Sequence, residues 1–154
     1  MISISFSLPE ANSPWRKTWE DAKQGDAARI AEIDLRYKYF GVNVEMIVGD
    51  VEVISKKRVI TLVDVALSLM HVEKRILSGE DAAFGFTESE EVVQLRRDGD
   101  RIVVTSSTRA FRTTVERGEL ANACSRFCRN AYSCLVDELP ALVDNSTVQL
   151  MLPK

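Results

Sequence analysis

Nowhere in this 154-residue chain do more than three apolar residues follow one another, whereas a membrane-spanning helix needs about 20 predominantly apolar residues. A spanning segment is therefore excluded. Histidine is reduced to one, His71, and glycine to seven. The loops G-x-x-x-x-G-K-[ST] and G-x-G-x-x-G, which cradle phosphates, do not occur, and nucleotide binding has no support. Neither sign of charge dominates. Twenty Lys plus Arg against 23 Asp plus Glu leave a net charge of −3, so no basic field draws the chain to nucleic acid. Cysteine is scarce and unevenly placed: Cys124, Cys128 and Cys134 lie within eleven residues. That odd, crowded set makes a poor disulfide framework. A zinc site would need His71 and a carboxylate brought from elsewhere, so neither a metal nor a cofactor is expected. The first eight residues have no basic region and no continuous apolar stretch, unlike a secretory signal. A cytoplasmic location is expected unless a signal has been removed.

What is present is clear patterning. Ile2, Ile4, Phe6 and Leu8 alternate with Ser3, Ser5 and Ser7, the period of a half-buried strand, which Pro9 ends. Ser13 followed by Pro14 reads as the cap and first position of a short helix over 15–24, with Trp15 and Trp19 on one side and Gly25 closing it. From Ala31 on, Ile33, Leu35, Tyr37 and Tyr39 alternate with Glu32, Asp34, Arg36 and Lys38, which predicts a second strand over 31–39. After Gly41, the runs from Val42 to Val48 and Val51 to Ile54 flank Gly49-Asp50 and predict further antiparallel strands. The first half thus reads as a β-meander.

Thr61 to Asp64 resembles a capping box opening a helix that runs to Leu77 and stops at Gly79. At 100° per residue, Thr61, Asp64, Ser68, His71 and Arg75 form a narrow polar stripe on an otherwise apolar helix. Glu73 falls inside the apolar arc, where it either reaches past a neighbour or meets a cation. Asp98-Gly99-Asp100 between two β-rich runs predicts a hairpin, followed by a strand over 110–115. A last helix over 119–139 places all three cysteines on its apolar side and ends at Pro140. Val148 to Leu152 reads as an edge strand or a tail. The order of elements predicts one α+β domain over 1–154: a largely antiparallel sheet covered on one face by two long helices, with the other face open to a partner.

Asp64, Ser68 and His71 are the residue types of a hydrolase triad. Side chains on successive helical turns project in parallel, however, and no G-x-S-x-G elbow is present. Cys124 or Cys128 as a nucleophile would need exposure that their helix face denies them. Arg96, Arg97, Arg101, Arg109, Arg112 and Arg117 make the hairpin region locally basic, but only Phe111 offers a base-stacking surface. The most distinctive stretch is acidic. Glu80, Asp81, Glu88, Glu90 and Glu91 stand without a basic residue between Gly79 and Val92, interleaved with Phe84 and Phe86. Such a segment suits capture of a basic partner, or serves as a solubilising connection whose aromatics enter the core.

In size, acidity, layout and this acidic segment, the chain resembles the small α+β immunity proteins of bacterial contact-dependent inhibition and other polymorphic toxin systems. The resemblance implies a cytoplasmic protein that binds a single toxin domain, often a basic nuclease, and neutralises it by stoichiometric occlusion. No functional residues carry over from the resemblance; on this reading the chain has no catalytic residues of its own, and the charge pattern makes Glu80, Asp81, Glu88, Glu90 and Glu91 the expected contact region. The alternatives are a small-molecule-binding or regulatory subunit, one that self-associates through Trp15, Trp19 or the open sheet face, and a hydrolase using His71.

Overall fold

Strand β1, Ile2–Ser7, turns Ile2, Ile4 and Phe6 toward the core and its serines to solvent, as the period of two requires. The computed structural model describes residues 1–87 and 89–152. Ser13 caps a single 3₁₀ turn, Pro14–Arg16, that leads into helix α1, Lys17–Ala22. Trp19 is wholly buried there and Trp15 is about half exposed (47%).

The strand expected over 31–39 is instead helix α2, Glu32–Tyr37. Leu35 donates its amide to Ala31 O and Lys38 to Asp34 O at 3.0 and 2.9 Å, the i to i−4 spacing of an α-turn. The alternation was a coincidence of spacing. In the helix Leu35 points inward while Ile33 and Tyr37, four apart, face solvent. Glu32 and Asp34 at the first turn and Arg36 at the last also suit the helix dipole. A left-handed Phe40 (φ 64°) then turns the chain into the next strand.

That strand, β2 (Gly41–Val48), pairs along one edge with β1 in an uninterrupted antiparallel register, Ile2 opposite Val48 through Ser7 opposite Asn43. Its other edge is shared by β3, Val51–Ile54, and a strand not expected from sequence, β4, Val59–Thr61, with a register shift between Met46 and Ile47. Helix α3, Leu62–Leu77, follows directly. The capping box does not form, because both of its side chains serve α2. The Thr61 hydroxyl donates to Arg36 O, and the Asp64 carboxylate takes the Arg36 guanidinium at 2.8 Å. Asp64 is buried in that pairing, and α2 is thereby fastened to the start of α3.

The second half is a four-stranded antiparallel meander: β5 (Ala82–Phe86), β6 (Ser89–Asp98), β7 (Arg101–Ser106) and β8 (Arg112–Glu116). Gly99 supplies the positive φ (64°) of the β6–β7 hairpin. Glu116 then caps α4, Arg117–Glu138, accepting from the amides of Gly118 and Glu119. Val148 and its neighbours form neither an edge strand nor a loose tail. Asn145 caps the one-turn helix α5, Ser146–Gln149, and its amide also donates to Ala27 O and Ile30 O, while Val148 and Met151 enter the core.

The fold is α+β and antiparallel, with two long helices. The eight strands of the described residues divide into two sheets rather than one. Helix α4 lies on β1 and helix α3 against β5, and the two helices pack together over one continuous apolar core. Glu73 sits half-buried at their seam beside Cys128, and burial holds its carboxyl above the usual range although the charge of Arg129 opposes this. Among the described residues no helix is long and apolar enough to cross a membrane.

Candidate partner-binding surface

The acidic segment is largely structured rather than a free loop. Glu80 pairs with Arg75 at 2.9 Å, and the Asp81 carboxylate accepts the Arg97 amide at 2.8 Å while its carbonyl accepts Arg75 Nε at 2.7 Å. Ala82–Phe86 is strand β5, whose Phe84 and Phe86 rings meet edge to face inside the core. Glu90 is exposed, and Glu88 lies outside the described residues. Glu91 is turned inward, with 4% of its surface exposed. Its carboxylate accepts from Arg109 Nε at 2.7 Å, Ser106 Oγ at 2.6 Å and Arg58 at 3.3 Å. Arg58 also stacks over Phe86, 4.0 Å from the ring centroid, and Arg109 over Phe111. The same Arg109 guanidinium donates to Glu52 O and Val53 O on the edge of β3. The structure therefore brings Glu80 and Asp81 together around Arg75 and gives Glu91 to an ionic clamp that joins the two sheets. Sequence patterning carried no sign of this clamp, since its partners lie 33 and 18 positions from Glu91.

The hydrolase constellation is dispersed. Asp64 is committed to Arg36, and seven residues of helix separate it from His71 by about 10 Å, beyond hydrogen-bond reach. His71 is exposed and opens onto a cleft of about 420 Å³ between α3 and the β5 edge, with Arg75, Asp81, Ala83, Gln94 and Arg96 on its walls. The thiols are withheld as well. Burial pushes the Cys128 thiol up to about 12, with the charge of Glu73 adding to the effect, and the thiol donates to Ala66 O at 3.2 Å. Cys124 is raised further, by burial first and then by Cys128 and Glu73, and half-buried Cys134 is raised by burial and by Glu138 and Asp137. Among the described residues, no three His, Cys, Asp or Glu side chains come together to hold a metal. An Ellman titration of the native protein is expected to modify Cys134 well before Cys124 and Cys128. All three should react at one rate only in denaturant.

The open face of the second sheet is the larger feature. Inward residues Val93, Leu95, Ile102, Val104 and Val115 are fully buried. The alternate positions form the outer face, where the register sets Ala83 beside Gln94 and Gly85 beside Val92, then Gln94 beside Thr105 and Thr105 beside Arg112. Arg96, Val103 and Thr114 lie in one row, and Asp98, Arg101 and Glu116 in the next. Val103 is buried yet outside the core cluster: it sits on the outer face, flanked by longer polar side chains. A search of family models, characterised proteins and solved structures finds no match to this chain. The face is lightly furnished along β5, where Ala83 and Gly85 project. Glu90 stands at one end, Arg96 and Arg112 lie in the inner rows, Arg101 shares the hairpin-end row with Asp98 and Glu116, and the Arg75 cleft adjoins the edge. Both signs of charge on an exposed sheet face beside a cleft suit recognition of a macromolecular surface, because complementary potentials set encounter rate and register.

Proposed function

We propose that this chain is a protein-binding module that covers a partner's surface one to one, as an immunity protein covers a cognate toxin domain. The observation that carries the reading is the uncovered outer face of β5–β8 with its charged middle. Nothing among the described elements packs on it, while the inner face is sealed by α3 and α4. Glu90, with Glu80 and Asp81 at the rim, would meet basic groups of the partner, and Arg96, Arg101 and Arg112 would cross to its carboxylates. Occlusion needs no chemistry from the protein itself, in keeping with a dispersed Asp64, Ser68 and His71 and with thiols held in their protonated form.

The test is capture of the tagged protein's partner from the native host, followed by titration with the purified partner. The reading expects one protein retained at a one-to-one ratio, with its toxic activity lost in proportion to added protein. R96E/R101E/R112E should weaken binding by about a hundredfold, with a slower association that depends less on salt. Retention of no protein, or equal affinity of the triple variant, would overturn the reading.

A further inference from the structure

Among the described residues, strand β1 is the longest sheet edge and has no charge on it, whereas the β8 edge carries Arg112 and Glu116. Natural edge strands are blunted by charges, prolines, bulges or covering groups. The β3 edge has the Arg109 guanidinium on its carbonyls, and β5 is broken by a register shift at Gly85/Phe86. Ile2–Ser7 has no charged residue, no proline and no shift in its register. Met1 O accepts from Gly49 N at 2.8 Å, so the odd-numbered residues of β1 make the hydrogen-bonded pairs with β2. By the alternation of an antiparallel ladder, the N–H and C=O groups of Ile2, Ile4 and Phe6 point the other way. Among the described residues these groups have no protein partner. The side chains agree: Ile2, Ile4 and Phe6 remain partly exposed, whereas their β2 neighbours Val44, Met46 and Val48 are fully covered.

We propose that this edge pairs with the same edge of a second copy, about a two-fold axis through Ile4. The register is self-complementary. Ile4 meets Ile4 of the second copy, and Ile2 meets Phe6 in both directions. These three residue pairs are hydrogen-bonded pairs, and every apolar side chain stays on the helix-covered face. The helix above is self-complementary in charge. Met1 and Ile2 lie by Glu119, and Phe6 packs on Phe127 with ring centroids 5.4 Å apart, so α4 runs parallel to β1. From Ile2 to Phe6 the strand advances about 13 Å, and from Glu119 to Phe127 the helix advances about 12 Å. The axis through Ile4 therefore passes close to Ala123, and it sets Glu119 of each copy opposite Arg126 of the other. Glu119 and Arg126 are both exposed beside Ile2. The product is a continuous sheet across two copies, with two reciprocal ion pairs in an isologous interface.

Sedimentation equilibrium of the full chain, from about 10 μM to about 1 mM, brackets a dimer of this modest size. The expected result is a monomer–dimer equilibrium in which R126E or E119R alone raises the dissociation constant on the order of tenfold or more. E119R/R126E, which restores the opposite charges, should return it to near the original value. I4P removes an outward amide together with the half-buried Ile4 side chain, and it should also give a monomer, with far-ultraviolet circular dichroism showing that the sheet is kept. A chain that stays monomeric at the highest concentration would overturn the proposal. A dimer indifferent to both R126E and I4P would do so as well.

Discussion

Glu91→Gln is expected to destabilise the protein by about 2–4 kcal/mol, seen as a Tm lower by on the order of 10 °C. The substitution keeps the volume and the Ser106 contact but leaves two guanidiniums facing a neutral amide. Arg109 and Arg58 retain some solvent contact, which places the loss toward the lower part of the range for a broken buried pair. The effect should spread to both sheets, because Arg109 simultaneously holds Glu52 O and Val53 O. Hydrogen exchange in β3 should therefore rise together with that in β6. Burial alone would raise the Glu91 carboxyl. The Ser106 and Arg109 hydrogen bonds, with the charges of Arg109 and Arg58, outweigh burial and hold it below 4.5. A depressed folded value means that the stabilisation is complete above about pH 4.5 and is lost as pH falls through the lower folded value. Glu91→Gln should accordingly flatten the acid limb of the stability curve. Glu73, raised by burial, acts with the opposite sign and favours the folded state as it protonates. An unchanged Tm and an unchanged acid limb would show that the clamp contributes nothing net.

Trp19→Ala is expected to cost about 3–5 kcal/mol. The ring is fully buried, meets Phe40 edge-on at 4.8 Å, and donates Nε1–H to Gly41 O at 2.8 Å. Truncation opens a large cavity and also orphans a carbonyl at the start of β2. Trp19→Phe refills much of the space without the donor and should cost about 1–3 kcal/mol. Trp15→Phe, at the exposed neighbour, should stay within about 0.5 kcal/mol. Fluorescence separates the two residues. Emission of the Trp15→Phe protein should remain blue-shifted, since only Trp19 is left, while the Trp19→Phe protein should emit as a solvated indole. The reverse assignment of the two spectra would contradict the packing described for α1.

Elements whose own residues decide their conformation are legible in the sequence. The β1 alternation, the Asp98-Gly99-Asp100 hairpin and the two long amphipathic helices each show a period sustained over enough residues to exclude the competing one. The serine–proline start of the first helical turn and the burial of Cys124 and Cys128 follow from the same local rules. Short segments were ambiguous because a few residues satisfy both periods. Over 31–39 the alternating pattern fitted a strand, whereas in the fold Thr61 at the end of β4 and Asp64 in the first turn of α3 reach back to Arg36 and hold a helix there. At 59–61 three residues carry too little pattern to declare a strand, and β4 exists because β2 offers an edge to pair with. The same holds for the candidate surface. The acidic residues from Glu80 to Glu91 could be counted in the sequence, but adjacency in the chain does not say which way a side chain points. Consecutive positions of a strand face opposite sides, so Glu90 reaches solvent while Glu91 enters the space between two sheets and meets arginines from two distant loops. Composition and periodicity determined the fold class, the long elements and the poverty of catalytic groups. Which charges are free to meet a partner, and which hold the molecule together, was decided by long-range pairing alone, because burial and ion-pair partners are properties of the assembled sheets.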